Sequence, residues 1–176
     1  MLRESGLLSH VLPFAGEVAD QLDRLPALKR DAESTRWLAW AILFDGMDRK
    51  SIDKAMRELK LSREHLRMVL MLVEASPILR SGSTIDLMRL AVSKESALYR
   101  DFAICISAID RWQEIENDLA TNPLPPLPII TGADLQALGI PPGPQYKTVL
   151  DAAEEAVLSR RIRTKDEALA LVRTLV

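Results

Sequence analysis

Two stretches near the C-terminal end hold the residues whose types and spacing suit chemistry. The first runs from Leu127 to Leu150, LPIITGADLQALGIPPGPQYKTVL. It reads as a helix, a Gly-Ile-Pro-Pro-Gly-Pro corner and a second helix. Such a corner leaves backbone N–H groups free at the start of the second helix. Free amides together with the helix dipole attract an anion, and a phosphodiester is one natural ligand. Gly132 opens the first helix, Gly143 lies in the corner, and Lys147 adds a cation in the first turn that follows. The same residues also read as a rigid corner with no ligand. The second stretch, SRRIRTK, puts Arg160, Arg161, Arg163 and Lys165 within six positions. A cluster of this kind neutralises phosphates, or is a solvated charge run near a helix C-terminus. Both stretches fall in one small terminal module, which favours the RNA reading.

Other chemistries lack their residues. There is no Gly-rich phosphate loop, no Cys-x-x-Cys pair and no Gly-x-Ser-x-Gly elbow. His10 and His65 are the only histidines, and neither has a second histidine at metal-ligand spacing. Each reads as a surface or capping residue. A magnesium-dependent nucleotidyl-transfer centre needs paired carboxylates on a strand, and Asp-x-Asp is absent. Glu154 and Glu155 are adjacent, but on a helical pattern that reads as a solvated face. The sequence therefore offers no recognisable catalytic residue and no metal ligand set. Cys105, the only cysteine, lies in the apolar run Phe102 to Ile106. It reads as a buried, inert thiol, and a reducing cytosol fits.

The elements that must carry these stretches are helical. The chain has 176 residues, 48% of them hydrophobic, with seven glycines and a formal net charge of −2. This is long enough to bury a substantial core. The charge argues against a generally basic, nucleic-acid-coating surface, so any RNA contact must be local. No positive leader precedes a long apolar run, and no stretch of about 18 apolar residues occurs, so neither a signal peptide nor a membrane span is expected.

Residues 5–25 show apolar positions at helical spacing, with a kink expected at Pro13. Ser34 reads as the N-cap of a helix that carries Trp37, Trp40, Ala41 and Phe44 on one core-facing stripe. Next comes an amphipathic helix through Ile52, Met56 and Leu59. A helix capped by Ser62 then buries Leu66, Val69, Leu70 and Val73, and Pro77 is expected to end it. A short helix follows in SGSTIDLMRLAV, residues 81–92. The stretch 93–120 reads as one long helix with Leu98, Phe102, Ile106, Ile109 and Trp112 facing inward. TNPLPPLPII is a stiff break. Three short helices close the chain. The first is capped by Thr131 and Asp134 and stopped by Gly139. The second has Pro144 in its first turn, and the third is capped by Thr164 and Glu167.

The run Pro128-Ile-Ile-Thr131-Gly132-x-Asp134-Leu135-x-x-Leu138-Gly139-Ile140-x-Pro142-Gly143-Pro144 resembles the tail motif of bacterial class II CCA-adding tRNA nucleotidyltransferases and poly(A) polymerases. RIRTKDEALALV is similar to that family's closing segment. SGLLSHVLP, TRWLAWAILFDGM and LKLSREHLRMVLMLVE resemble its helical body. The resemblance implies that body and tail hold tRNA, and that the chain begins after a catalytic head and neck. The choice among CCA, CC, A or poly(A) addition would belong to that head. Some relatives carry a metal-dependent phosphohydrolase signature with His-Asp, where this chain has Phe44-Asp45. Losing that histidine removes a ligand. Lys147 also departs from the family, standing where a small Gly is usual.

The expected fold is all-α. Residues 1–120 form a helical body, 121–130 a Pro-rich connector and 131–176 a helical tail module. The expected function is that of a tRNA-binding C-terminal portion of a tRNA nucleotidyltransferase or poly(A) polymerase. The alternatives are a non-enzymatic helical protein-interaction module of the same fold, and a degenerate phosphohydrolase. The RNA-binding residues are expected to be Gly132, Gly143, Lys147, Arg160, Arg161, Arg163 and Lys165. No cofactor is expected in this chain, with magnesium and CTP or ATP belonging to the head. The expected partners are tRNA or another structured RNA and the chain's own N-terminal catalytic head, in the cytoplasm and away from membranes.

Overall fold

The computed structural model describes residues 34–175, which form helices joined by turns and by one irregular Pro-rich segment, 122–131. The stretch 5–25, its kink at Pro13, and His10 lie outside the described residues. In order, the helices are α1 (Ser34–Leu43), α2 (Arg49–Glu58), α3 (Arg63–Ser81), α4 (Thr84–Ala91), α5 (Ser96–Cys105), α6 (Ile109–Thr121), α7 (Gly132–Ala137), α8 (Gln145–Leu158) and α9 (Lys165–Leu175). No strand occurs among the described residues, so the fold is all-α as expected. None of these helices is long and apolar enough to cross a membrane. The chain divides into two compact units. Of the described residues, one takes those up to Ser83 together with Leu90–Gln113. The other takes Thr84–Arg89 and the chain from Glu114 onward.

In the first unit α3 is the central helix, packed on α1, α2 and α5. Ser62 caps it, its hydroxyl accepting from the His65 amide and meeting His65 Nδ1 at 2.7 Å. His65 therefore belongs to the cap. Val69 and Leu70 are buried with Met68, Leu72, Val73, Ala75 and Leu79, while Leu66 is half-buried. On α1 the buried residues are Leu38, Ala41, Ile42 and Leu43, and Phe44 just past its end is buried as well. Trp37 and Trp40 are only half-buried, and the Trp40 ring stacks on Phe44 with centroids 5.7 Å apart. Ile52 and Met56 are buried on α2, which Asp48 caps by accepting from the Lys50 and Ser51 amides. Cys105 is buried, and burial pushes its thiol up to about 11.

The helix α3 does not end at Pro77 as its sequence suggests; it runs on to Ser81. Proline lacks the N–H that would reach the preceding turn, but the next turn is held from outside. Ser76 donates to Asp45 Oδ1 at 2.5 Å, and Leu79 is fully buried. Arg111 then takes the carbonyls of Ile78, Leu79 and Gly82, the last at 2.6 Å. The single helix expected over 93–120 is instead two, α5 and α6. The break falls at Ser107, which takes φ of +58°. Its amide bonds to Ile104 O and the Ala108 amide to Ala103 O, at 2.8 Å, closing the end of α5. Neither Gly nor Pro marks the place.

Asp45, next to the buried Phe44, is 8% exposed. A buried carboxylate needs a compensating charge. Arg80 supplies it, bonding Asp45 Oδ2, Ser76 Oγ and the Ile106 carbonyl. One guanidinium thus joins the turn after α1, the last turns of α3 and the end of α5.

Arg80→Met should destabilise the chain by about 2 kcal/mol in urea unfolding. That is less than for a wholly buried pair, because the Arg80 side chain is 39% exposed. Adding Asp45→Asn should recover part of the loss. Ser107→Gly should stabilise by about 0.5–1 kcal/mol, because glycine takes the left-handed conformation without steric cost.

Candidate functional site

The second unit is built on α7, α8 and α9, with α8 packed against both others. Its core is Ile130, Leu135, Ile140, Val149, Ala153, Ala168 and Val172, with Ile129, Leu138, Tyr146 and Ile162 packed on it. Local chemistry sets the helix ends. Thr131 and Asp134 form a capping box, with the Thr131 amide donating to Asp134 Oδ2 at 2.8 Å. At the other end of α7 the backbone turns left-handed at Gly139, φ +78°. There the Gly139 amide bonds Gln136 O and the Ile140 amide bonds Leu135 O. Ile140 joins Leu135 in the core, the apolar contact that accompanies this type of helix end.

The Gly/Pro corner follows. Pro141, Pro142 and Pro144 are exposed, and Gly143 is half-buried. Pro144 precedes α8 in helical conformation, and no side chain caps the helix. The Tyr146 amide donates to Gly143 O at 3.0 Å. The Gln145 side chain folds over the corner, its amide nitrogen donating to Pro141 O at 3.3 Å. A Cβ on Gly143 would lie 2.8 Å from Gln145 Oε1. Glycine therefore lets that side chain lie close. Gly143 does not have positive φ. Gly132 has the Tyr146 ring 3.6 Å from its Cβ direction, an ordinary packing distance, and Tyr146 Oη donates to Ile140 O at 2.8 Å. Tyr146, absent from the sequence-level site, thus ties the corner to the start of α7. Beside it, Lys147 is exposed.

The four cations of SRRIRTK separate into two kinds. Arg160 takes the left-handed position after α8, with φ of +58°. Its amide bonds Val157 O and the Arg161 amide bonds Ala156 O. Its guanidinium reaches Asp118 Oδ2 at 2.8 Å and the Asn122 carbonyl at 2.6 Å, leaving the side chain 22% exposed. Lys165 opens α9 and bridges to Asp134 Oδ1 at 2.6 Å. Both charges are matched within this unit. Arg161 is 62% exposed and only 3.8 Å from Glu155, with Nε donating to Ser159 Oγ. Arg163 is exposed, and its amide, not its guanidinium, bonds Glu167. Glu154 is not merely solvated, since it accepts from Arg89 Nε at 2.8 Å.

The structure brings Gly132, Asp134 and Lys165 together around the start of α7, with Tyr146 beside them. Arg160 lies past the other end of α8, a helix about 21 Å long by its rise per residue. Sequence reading missed Asp118 and Asn122 as its partners. Nothing local signals a pairing across 42 residues.

Among the described residues no group of three His, Cys, Asp or Glu could hold a metal ion. Residues 32–172 match the model of a family described as tRNA nucleotidyltransferase domain 2. The chain is also similar to the CCA-adding enzyme of Levilactobacillus brevis, 25% identical over 173 residues that make up 96% of this chain and 43% of that enzyme. It therefore spans less than half the length of that relative. No solved structure matches it.

Two carboxyls of this unit are held below the usual carboxylate range. Asp134 is lowered first by the Lys165 ammonium and then by the Thr131 amide and hydroxyl. Glu167 is lowered by the Arg163 and Thr164 amides. A lowered folded pKa contributes stability above the unfolded pKa that is lost as pH falls through the folded one. The melting temperature should therefore drop as pH falls from about 5 to about 2. Asp134→Asn and Glu167→Gln should each flatten that slope in a calorimetric pH series.

Proposed function

Because the chain belongs to the tRNA nucleotidyltransferase domain 2 family, we propose that it is the tRNA-holding part of a tRNA nucleotidyltransferase. The nucleotide-adding chemistry would reside in a catalytic head outside this chain, together with its magnesium and CTP or ATP. The observation that carries the reading is the family match over residues 32–172. The similarity to a CCA-adding enzyme of more than twice the aligned length supports it, since a head has room there.

The contact would be made with backbone and shape, not with bases, because duplex RNA hides its base edges in a deep, narrow groove. The tail module, residues 131–176, supplies the cations for it. Lys147, Arg161 and Arg163 are exposed, and Arg161 meets Glu155 only at the long distance of 3.8 Å. The amides near Gly143, in an exposed corner without a side-chain cap, add donors for a phosphate. Tyr146 fastens that corner through its hydroxyl bond to the Ile140 carbonyl. With a net charge of −2, the chain would meet RNA only through this patch. A cytoplasmic setting and poly(A) addition as an alternative outcome of the head follow from the same reading.

Filter binding of tRNA at graded salt tests this. The chain should prefer tRNA over an unstructured RNA of equal length. The triple variant Lys147→Ala, Arg161→Ala, Arg163→Ala should lower the log–log salt slope by about 2 to 3. An unchanged slope would reject the assignment, and indifference to tRNA would favour a protein-interaction module.

A further inference from the structure

The segment Ser159–Thr164, which joins α8 to α9, is fastened at both ends and exposes two arginines between them. At its front the amides of Arg160, Arg161 and Ile162 all bond back to the last turn of α8, at 2.9, 2.8 and 3.2 Å. At its back Glu167 Oε2 accepts from the Arg163 and Thr164 amides at 2.6 and 3.1 Å, and Thr164 Oγ1 accepts from the Glu167 amide. In the middle Ile162 packs on the core of the unit. Exposed Arg161 and Arg163 flank it on either side.

Two cations clamp this segment to other elements. Lys165 bridges to Asp134 in the cap of α7. Arg160 reaches the last turn of α6 through Asp118 and the Asn122 carbonyl. Arg160 occupies a left-handed position that glycine would fill with less strain. What arginine supplies there and glycine cannot is its side chain, and that side chain is turned to Asp118.

Resting on the RNA-binding reading above, we propose that Arg160 and Lys165 are positioning residues that do not touch RNA. They hold Arg161 and Arg163 as a preformed pair of guanidiniums for the phosphates of a structured RNA. A segment already ordered loses less conformational freedom on binding, so the clamps act on affinity without adding to the charge that RNA neutralises.

The electrostatic sign of Asp118 makes the test sharp. If Arg160 contacts phosphate, removing the nearby carboxylate frees that cation, so Asp118→Asn tightens tRNA binding. If Arg160 positions its neighbours, Asp118→Asn weakens binding by about fivefold, despite the lost negative charge. Arg160→Gly, which suits the left-handed backbone and should keep the melting temperature, weakens binding equally and leaves the salt slope unchanged. The double variant is no worse than either single one, and Arg160→Lys restores part of the loss. Tighter binding by Asp118→Asn, or a slope reduced by about one unit in Arg160→Gly, overturns the proposal. Amide hydrogen exchange at Arg160 and Arg161 separates it from the RNA reading. If the unmodified chain ignores tRNA, that reading fails, and faster exchange at both amides in Asp118→Asn still establishes the clamp. Unaltered exchange removes the clamp, whatever the RNA result.

Discussion

A helix ends with carbonyl oxygens that have lost their donors, and supplying those donors is the constraint on which the rest of this structure depends. Two devices meet it. In the first, the chain turns left-handed just after the helix and its own next amides bond back. Helices α2, α5, α7 and α8 close this way, at Lys60, Ser107, Gly139 and Arg160. In the second, a guanidinium from elsewhere takes the carbonyls. Arg111 serves the end of α3, Arg80 the end of α5, and Arg160 the carbonyl of Asn122 beyond α6. Arg160 therefore takes part in both devices, closing α8 with its backbone while its side chain reaches past α6.

This double use bears on function. An arginine cluster in a sequence looks like one electrostatic object, yet here its members have different partners. Two of the cations are matched by Asp118 and Asp134, so they add little to the field that an approaching polyanion meets. The same ion pairs order the segment that carries the other two. On the proposed function, affinity would then depend on rigidity as much as on the number of positive charges. Asp45 gives a parallel case in the first unit. There Arg80 neutralises a buried carboxylate, and three parts of that unit meet at its guanidinium.

Local chemistry made much of this legible. The caps at Ser62, Thr131 and Thr164 and the stop at Gly139 each rest on residues within five positions of one another, so residue type and spacing suffice to find them. The buried stripes of α2 and α3 follow from helical periodicity for the same reason. The family resemblance, carried by the tail motif, agrees with the match over residues 32–172. Where local signals misled, distant residues had intervened. Pro77 fails to stop α3 because Arg111 and the buried Leu79 hold the next turn. The helix over 93–120 breaks at Ser107, a left-handed residue after which the Ala108 amide bonds back to Ala103 O, and no Gly or Pro marks the place.

The sequence by itself determined that the chain is all-helical, where most of its helices start, and which family it resembles. These depend on backbone propensities and on contacts within one or two turns. Only the tertiary structure decided which cations are free. Whether a guanidinium faces water or Asp118 depends on a helix 42 residues away, and no local pattern of residue types encodes that distance.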